Sequence, residues 1–319
     1  MNNNLLFSAP FSFLEEAKNQ LDMLTSTEYR EIWNYKELGD VKDFKYWIPN
    51  PGQSFTIDKK VLNQFSSLEI IITPSTGTNH INLEECKNKK VLVKGLLDNI
   101  KTLSSIRASS EFTFLMILNG LRRIDYAINE VKNHRWRQNE DLMRGNELIG
   151  KKVGIIGLGR NGTNVAKWCD SFEAIVTYYD PYINNHDYTK EEDLSLLFES
   201  SDIIVICCTL NKSTYHLIEK SLLSRTKKNA LIVNSSRGEL INEDDLADIL
   251  NSRKDIKVSL DVLSNEVTAN QFSSSLMKFI MNGRIIVTPH VAGATYESQN
   301  KAAMGAFEML KEYIDEKQA

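Results

Sequence analysis

Residues 151–180, KKVGIIGLGRNGTNVAKWCDSFEAIVTYYD, decide the fold. Val153, Ile155 and Ile156 make the short apolar run of a buried parallel strand. Gly157, Gly159 and Gly162 follow in G-x-G-x-x-G spacing, and a helix is predicted from about Gly162 to Asp170, with Val165, Ala166 and Trp168 available for packing. Ala174 to Tyr179 reads as a second strand that ends at Asp180. In such a unit the first glycine permits a tight turn, the second admits a pyrophosphate to the backbone, and the third lets helix and strand pack closely. The helix start offers N–H groups and a partial positive charge to the phosphates. An acidic residue about twenty positions on accepts hydrogen bonds from the ribose hydroxyls, and Asp180 stands there. Glycine spacing alone also occurs in ordinary turns; the ordered set of strand, glycines, helix, strand and acid carries the reading. A carboxylate at 180 repels a 2′-phosphate, and Pro181 and Tyr182 bring no cation to neutralise one, so NAD is expected over NADP.

The chain of 319 residues suffices for two domains. With 42% hydrophobic and 25% charged residues it has the balance of a soluble globular protein. A net charge of −4 provides no basic field for nucleic acid, and no apolar run approaches the ~20 residues of a membrane span. The start, MNNNLLFSAPFSF, lacks the basic residues and apolar length of a signal peptide, so a cytoplasmic location is expected. Cys86, Cys169, Cys207 and Cys208 form no C-x-x-C pair and read as small buried hydrophobes, with no metal expected.

Residues 1–95 alternate strand and helix signals, which predicts a parallel α/β arrangement. Strands are expected at Leu5 to Ala9, Tyr46 to Ile48, Glu69 to Thr73 and Val91 to Val93; helices at Phe13 to Leu24 and Ile57 to Phe65. In TPSTGTNHINL, 73–83, Ser75, Thr76 and Gly77 follow a strand's carboxyl end, where open α/β sheets bind ligands. Backbone N–H groups there suit a carboxylate, and a plain turn fits the same residues. His80 reads as structural or exposed. Residues 109–132 read as one long helix, apolar on two sides, and a subunit interface is one way to cover the second. Arg122, Arg123, Lys132, Arg135 and Arg137 cluster around Trp136 and read as a solvated or phosphate-facing edge. Further strands are expected at 153–157, 174–179, 202–207, 230–234, 257–261 and 284–288, a helix at Asn242 to Leu250, and a closing helix at 295–316.

Three strand ends bring chemistry. In NSSRGELIN, 234–242, Arg237 has the planar fork that grips a carboxylate through two parallel hydrogen bonds. SLDVLSNE, 259–266, brings Asp261 and Glu266, and TPHVAGAT, 288–295, brings His290, whose side chain suits proton transfer near neutral pH. A carboxylate such as Glu266 beside it favours the imidazolium.

From STGTNHINL through GNELIGKKVGIIGLGRNG, YYDP, NSSRGELIN, LDV with Glu266, and TPHVAGAT, the chain resembles the D-isomer-specific 2-hydroxyacid dehydrogenases, phosphoglycerate dehydrogenase among them. The resemblance implies two doubly wound parallel-sheet α/β domains: a Rossmann NAD-binding domain, 109–290, inserted into a flavodoxin-like substrate domain, 1–108 and 291–319, with the cofactor in the cleft. It implies NAD-dependent hydride transfer at C2 of a D-2-hydroxy or 2-oxo acid, 3-phosphoglycerate, hydroxypyruvate and glyoxylate being open, and a homodimer. By the same resemblance, Arg237 would bind the substrate's carboxylate and carbonyl oxygen, His290 would be the acid/base, and Glu266 its partner. Ser75, Thr76 and Gly77 would hold the carboxylate through their backbone, and Asp261 would face the carboxamide. Arg160 and Asn161 would meet the pyrophosphate, and Thr209, Ser235, Ser236 and Gly293 would line the cofactor. Lys94 and Arg107 flank the region expected to face the cleft and leave a phosphorylated substrate open. Asn161, Thr209 and Val267 depart from the usual apolar residue and prolines of the family, and the chain stops too soon after His290 for the regulatory domain of some phosphoglycerate dehydrogenases. The alternative is a non-catalytic NAD-binding scaffold of corepressor type, against which Arg237, Glu266 and His290 argue.

Overall fold

The computed structural model describes residues 4–185, 187–264, 266–268 and 271–318. Contacts divide the chain into two units, one of Met1–Ile106, Glu266–Asn270 and Ala294–Ala319, the other of Arg107–Asn265 and Gln271–Gly293.

The first unit holds a parallel sheet of β1 (Leu5–Phe7), β2 (Thr27–Tyr29), β3 (Tyr46–Ile48), β4 (Ile70–Thr73) and β5 (Leu92–Gly95), in the order β2-β1-β3-β4-β5. This is the flavodoxin-like order. Strand β4 is buried along its whole length, as its unbroken IIIT run requires of a strand covered on both faces. The closing helix, Tyr296–Gln318, puts Ala302, Ala303, Ala306, Met309 and Leu310 into one core with Leu5, Phe7, Leu14, Leu21, Ile48, Ile70 and Ile72. The two ends of the sequence therefore build one core, the return that the resemblance implied and the periodicity did not show. The helix expected from Ile57 shrinks to Lys59–Leu62, because the Asp58 side chain caps it by accepting from the Val61 N–H while Ile57 bridges to Ile81.

The second unit holds β6 (Lys152–Ile156), β7 (Ile175–Tyr179), β8 (Thr189–Lys190), β9 (Ile203–Ile206), β10 (Leu231–Asn234), β11 (Lys257–Leu260) and β12 (Ile286–Val287), all parallel, in the order β12-β11-β10-β9-β6-β7-β8. Counted from β6, this is the Rossmann order 3-2-1-4-5-6 with one further strand. The winding reverses between β6 and β9, so their carboxyl ends frame the crevice where such sheets take a dinucleotide.

The long helix expected over 109–132 is two helices, Ala108–Arg122 and Ile124–Lys132. Arg123 between them is left-handed (φ 54°); its N–H donates to Asn119 O, while the Asn119 side chain caps the Ile124 N–H. The Leu121 carbonyl is taken by the Asn146 N–H instead of by the helix. Apolar periodicity carries straight across such a break when the left-handed residue is not glycine. The basic cluster beyond it is answered locally. Arg135 and Asn139 both donate to the buried Glu130 carboxylate, Arg137 pairs with Glu140, and Arg144 with Asp141.

Candidate active site

The crevice is built by close backbone packing. Gly157 turns the chain out of β6 with φ 89°, and a Cβ on it would lie 2.7 Å from the Cys208 backbone at the end of β9. A Cβ on Gly162 would overlap the Gly157 carbonyl oxygen. Gly159 is different: a Cβ there would meet nothing within 4 Å, and it stands as N-cap of the helix Arg160–Ser171 with no acidic residue in the first turn. Helix N–H groups thus face open space with no competing carboxylate, and the turn fits the pyrophosphate of NAD. Arg160 in that first turn is half-buried. Burial, reinforced by the neighbouring Arg107 charge, pushes its pKa down, a repulsion that an anion relieves.

Asp180 ends β7 and is buried. Its Oδ2 accepts from the Leu158 N–H at 2.9 Å, and its Oδ1 from the Tyr182 and Ile183 N–H groups at 2.9 and 3.1 Å. It therefore ties the glycine turn to the loop after β7, in addition to the ribose role read from the sequence. Asn161, a departure from the family pattern, has a matching partner: its Oδ1 accepts from the buried Ser110 hydroxyl at 3.0 Å, and Asn164 donates to the same hydroxyl. Ser236 donates to Ile206 O at 3.0 Å and so joins the ends of β10 and β9; Ser235 bonds the Thr113 hydroxyl. The exposed Thr209 lends its carbonyl to Thr214, and Gly293 lies beside Ser109. Neither Ser110 nor Thr113 carried a signal in the sequence, because a hydroxyl on a helix reads as surface until its neighbour is known.

Arg237, Asp261 and His290 follow β10, β11 and β12, three adjacent strands, and so share one rim of the sheet. Adjacent strands lie about 4.8 Å apart. The half-buried Arg237 follows the Asn234–Ser236 turn, and the Asn234 side-chain amide donates to its carbonyl at 2.8 Å. The exposed His290 has φ 53°, held because its N–H donates to Asp261 O (2.7 Å) and Thr288 O (3.0 Å). The Asp261 side chain, with no solvent exposure, accepts from the Thr288 hydroxyl (2.6 Å) and from the Val291 (3.0 Å) and Ala292 (2.8 Å) N–H groups. The segment bearing the histidine is thus folded around one buried carboxylate. Glu266 lies half-buried in the short turn Glu266–Thr268, which groups with the first unit.

In the first unit, Ser75, Thr76 and Gly77 follow β4 as expected, and the Ser75 hydroxyl donates to Gly77 O at 2.8 Å. His80 is buried, 2% exposed, with its Nε2 3.1 Å from the Thr73 hydroxyl. Lys94, considered for a phosphate, is paired with Glu312 at 3.2 Å. Burial pushes the Cys86 thiol up to about 11, Cys169 to about 12 and Cys208 to about 11, and it also raises Cys207, so these thiols are protonated at neutral pH. Among the described residues, no group of three or more His, Cys, Asp or Glu is placed to hold a metal.

Residues 114–292 match the family described as D-isomer specific 2-hydroxyacid dehydrogenase, NAD binding domain. The chain belongs to the D-isomer-specific 2-hydroxyacid dehydrogenases. A glyoxylate reductase of Thermofilum pendens is 33% identical over 260 residues, 77% of this chain and 72% of its own. A D-3-phosphoglycerate dehydrogenase of Bacillus subtilis is 30% identical over 300 residues; the match takes 91% of this chain and 54% of that longer one. A D-lactate dehydrogenase structure from Aquifex aeolicus, complexed with NAD and lactic acid, has the same fold, with a TM-score of 0.81 at 24% identity over 98% of this chain and 96% of that one. As a D-2-hydroxyacid dehydrogenase the chain is an NAD-dependent oxidoreductase acting on the CH–OH group of a 2-hydroxy acid, or on the matching 2-oxo acid.

Proposed function

We propose that the chain interconverts a small, unphosphorylated D-2-hydroxy acid and its 2-oxo acid, of the size of glyoxylate or hydroxypyruvate. The observation that carries the reading is the shared rim of Arg237, Asp261 and His290, in the same unit as the glycine turn. Against a phosphorylated substrate stands Lys94, whose charge is already answered by Glu312.

With its pyrophosphate on the Gly157–Gly162 turn, NADH would supply the hydride for C2. Arg237 holds the substrate's carboxylate and carbonyl oxygen and stabilises the charge that grows on that oxygen. His290 gives the oxygen its proton and takes it back in the reverse direction. Glu266 is the partner of His290 in this reading. Ser75, Thr76 and Gly77 add backbone donors for the carboxylate; the Thr76 and Gly77 N–H groups make no hydrogen bond among the described residues. Asp261, expected to face the carboxamide, has no solvent exposure and commits three of about four lone-pair sites to the His290 segment, so its part in this reading is to hold that segment in place. The first unit is then the substrate domain and the second the NAD-binding domain.

The test is a panel of 2-oxo acids followed by NADH absorbance. Glyoxylate or hydroxypyruvate turned over well ahead of 3-phosphohydroxypyruvate supports the reading, and the reverse order overturns the substrate assignment.

A homodimer through Ala108–Arg122 and Ile124–Lys132 is part of the same reading. Leu115, Ile124, Ile128 and Val131 are each about half exposed there, and Glu130 on the second helix is neutralised by Arg135. Light scattering at micromolar concentration should give twice the chain mass; a monomer refutes it. The cytoplasm is the proposed location, to be checked by fractionation. No described helix is long and apolar enough to cross a membrane.

A further inference from the structure

A chain of hydroxyls runs beneath the Ser75–Gly77 turn, and its direction follows from counting protons. Ser75 Oγ lies 2.8 Å from Gly77 O, Thr73 Oγ1 lies 2.8 Å from Ser75 Oγ, and His80 Nε2 lies 3.1 Å from Thr73 Oγ1. A carbonyl only accepts, so the single Ser75 proton goes to Gly77 O. Ser75 must then accept from Thr73, which spends the single Thr73 proton. Thr73 must in turn accept from His80, so Nε2 of His80 carries a hydrogen. The relay runs one way, from His80 through Thr73 and Ser75 to the Gly77 carbonyl.

Its root is rigid. Thr73 is fully buried at the end of β4, and His80 is 2% exposed, its carbonyl taking the Ile57 N–H at 2.8 Å. Ser75 is held from its other side as well, its carbonyl accepting from the Leu96 N–H at 3.0 Å. In a planar trans peptide the N–H lies opposite the C=O. Fixing the Gly77 carbonyl therefore fixes the direction of the Thr78 N–H and the set of the whole turn.

We infer that His80, through Thr73 and Ser75, is a positioning residue that aims the backbone donors of the 75–78 turn at the substrate's carboxylate. The inference rests on the proposed role of that turn. The buried imidazole acts as a one-way donor, not as a proton carrier, and it touches no reacting atom.

Kinetics and hydrogen exchange test it together. His80→Leu removes the donor and should raise KM for the best 2-oxo acid about fivefold, the worth of one buried hydrogen bond, with Kd for NADH unchanged. His80→Gln, whose amide reaches the place of Nε2, should restore most of the loss. Thr73→Val keeps the side-chain shape without the hydroxyl and should match His80→Leu, and the double variant should be no worse than either, because one broken relay cannot be broken twice. Amide exchange over 74–80, read without substrate, should quicken in the Leu and Val variants and not in the Gln variant. Equal behaviour of His80→Leu and His80→Gln in both readouts, or additive Leu and Val effects, overturns the inference. A silent His80→Leu beside a raised KM in Ser75→Ala removes His80 alone. A silent Ser75→Ala in an active enzyme overturns the inference, because the relay then aims nothing, and leaves the carboxylate role of the backbone donors standing.

Discussion

Replacing Asp261 by asparagine changes one atom, and the surroundings of that atom determine the cost. The carboxylate accepts from the Thr288 hydroxyl and the Val291 N–H on Oδ1 and from the Ala292 N–H on Oδ2, with no solvent access. An amide nitrogen at the Oδ2 position confronts the Ala292 N–H. Flipped, it confronts the Val291 N–H, while the Thr288 hydroxyl is free to turn. In either orientation one buried backbone donor loses its acceptor, and the surviving bonds lose their charge assistance. An unsatisfied buried donor costs about 1–3 kcal/mol, and a neutral in place of a charged acceptor about 1 kcal/mol more. The expected destabilisation is about 2–4 kcal/mol, a fall in Tm of roughly 4–16 °C for a unit of this size. Because the clash falls in the segment that sets His290 at positive φ, kcat should drop alongside, while affinity for NADH stays within about twofold because the glycine turn lies elsewhere along the sheet. Scanning calorimetry and NADH-linked rates read both effects. An Asp261→Asn enzyme that melts within about 1 °C of the parent and keeps its turnover refutes the reasoning.

His290→Ala should lower kcat by about 10²-fold or more while NADH still binds, measured by turnover and nicotinamide fluorescence; undiminished turnover takes the histidine out of the mechanism. Arg237→Lys keeps the charge but loses the planar fork, so KM for the 2-oxo acid should rise clearly; an unaltered KM contradicts the carboxylate role. Asp180→Ser should narrow the preference for NADH over NADPH and also lower Tm, since the carboxylate caps three backbone N–H groups; a preference that does not move argues against Asp180 as the selector. Glu130 is held down to about 2 by hydrogen bonds from Arg135 and Asn139. A folded pKa below the unfolded one stabilises fully above about 4.5, and that stability is lost as pH falls toward 2. The gap in urea midpoint between the parent and Glu130→Gln should therefore narrow between neutral pH and pH 2.5, and a gap constant with pH would falsify the linkage.

What could be read from the sequence was what local pattern encodes. Unbroken apolar runs such as IIIT and IIVI mark doubly covered strands, and the glycine spacing with Asp180 marks the crevice. The edge strands Thr27–Tyr29 and Thr189–Lys190 escaped notice because two or three half-exposed residues leave no pattern. The break at Arg123 escaped because it depends on the Asn119 side chain and on a distant N–H from Asn146. Arg237 and His290 could be picked out as chemistry-bearing residues at strand ends. The supporting arrangement could not: Asp261, visible as a strand-end acid, folds under the His290 segment, Ser110 lies beneath Asn161 and His80 beneath Ser75. Their parts are set by which donors surround them after folding.

The closing helix bears on how the protein is made. Leu5, Phe7 and Leu14 are synthesised almost 300 residues before the alanine and methionine face that covers them, Ala302 to Leu310. At translation rates of about 5–20 residues per second, the opening strands wait many seconds with their apolar side chains uncovered, while the interposed nucleotide-fold unit has all its strands and can mature first. The apolar face of the opening strands stays uncovered until residues 302–310 appear, and removing residues 302–318 should harm solubility before it harms the grip on NAD.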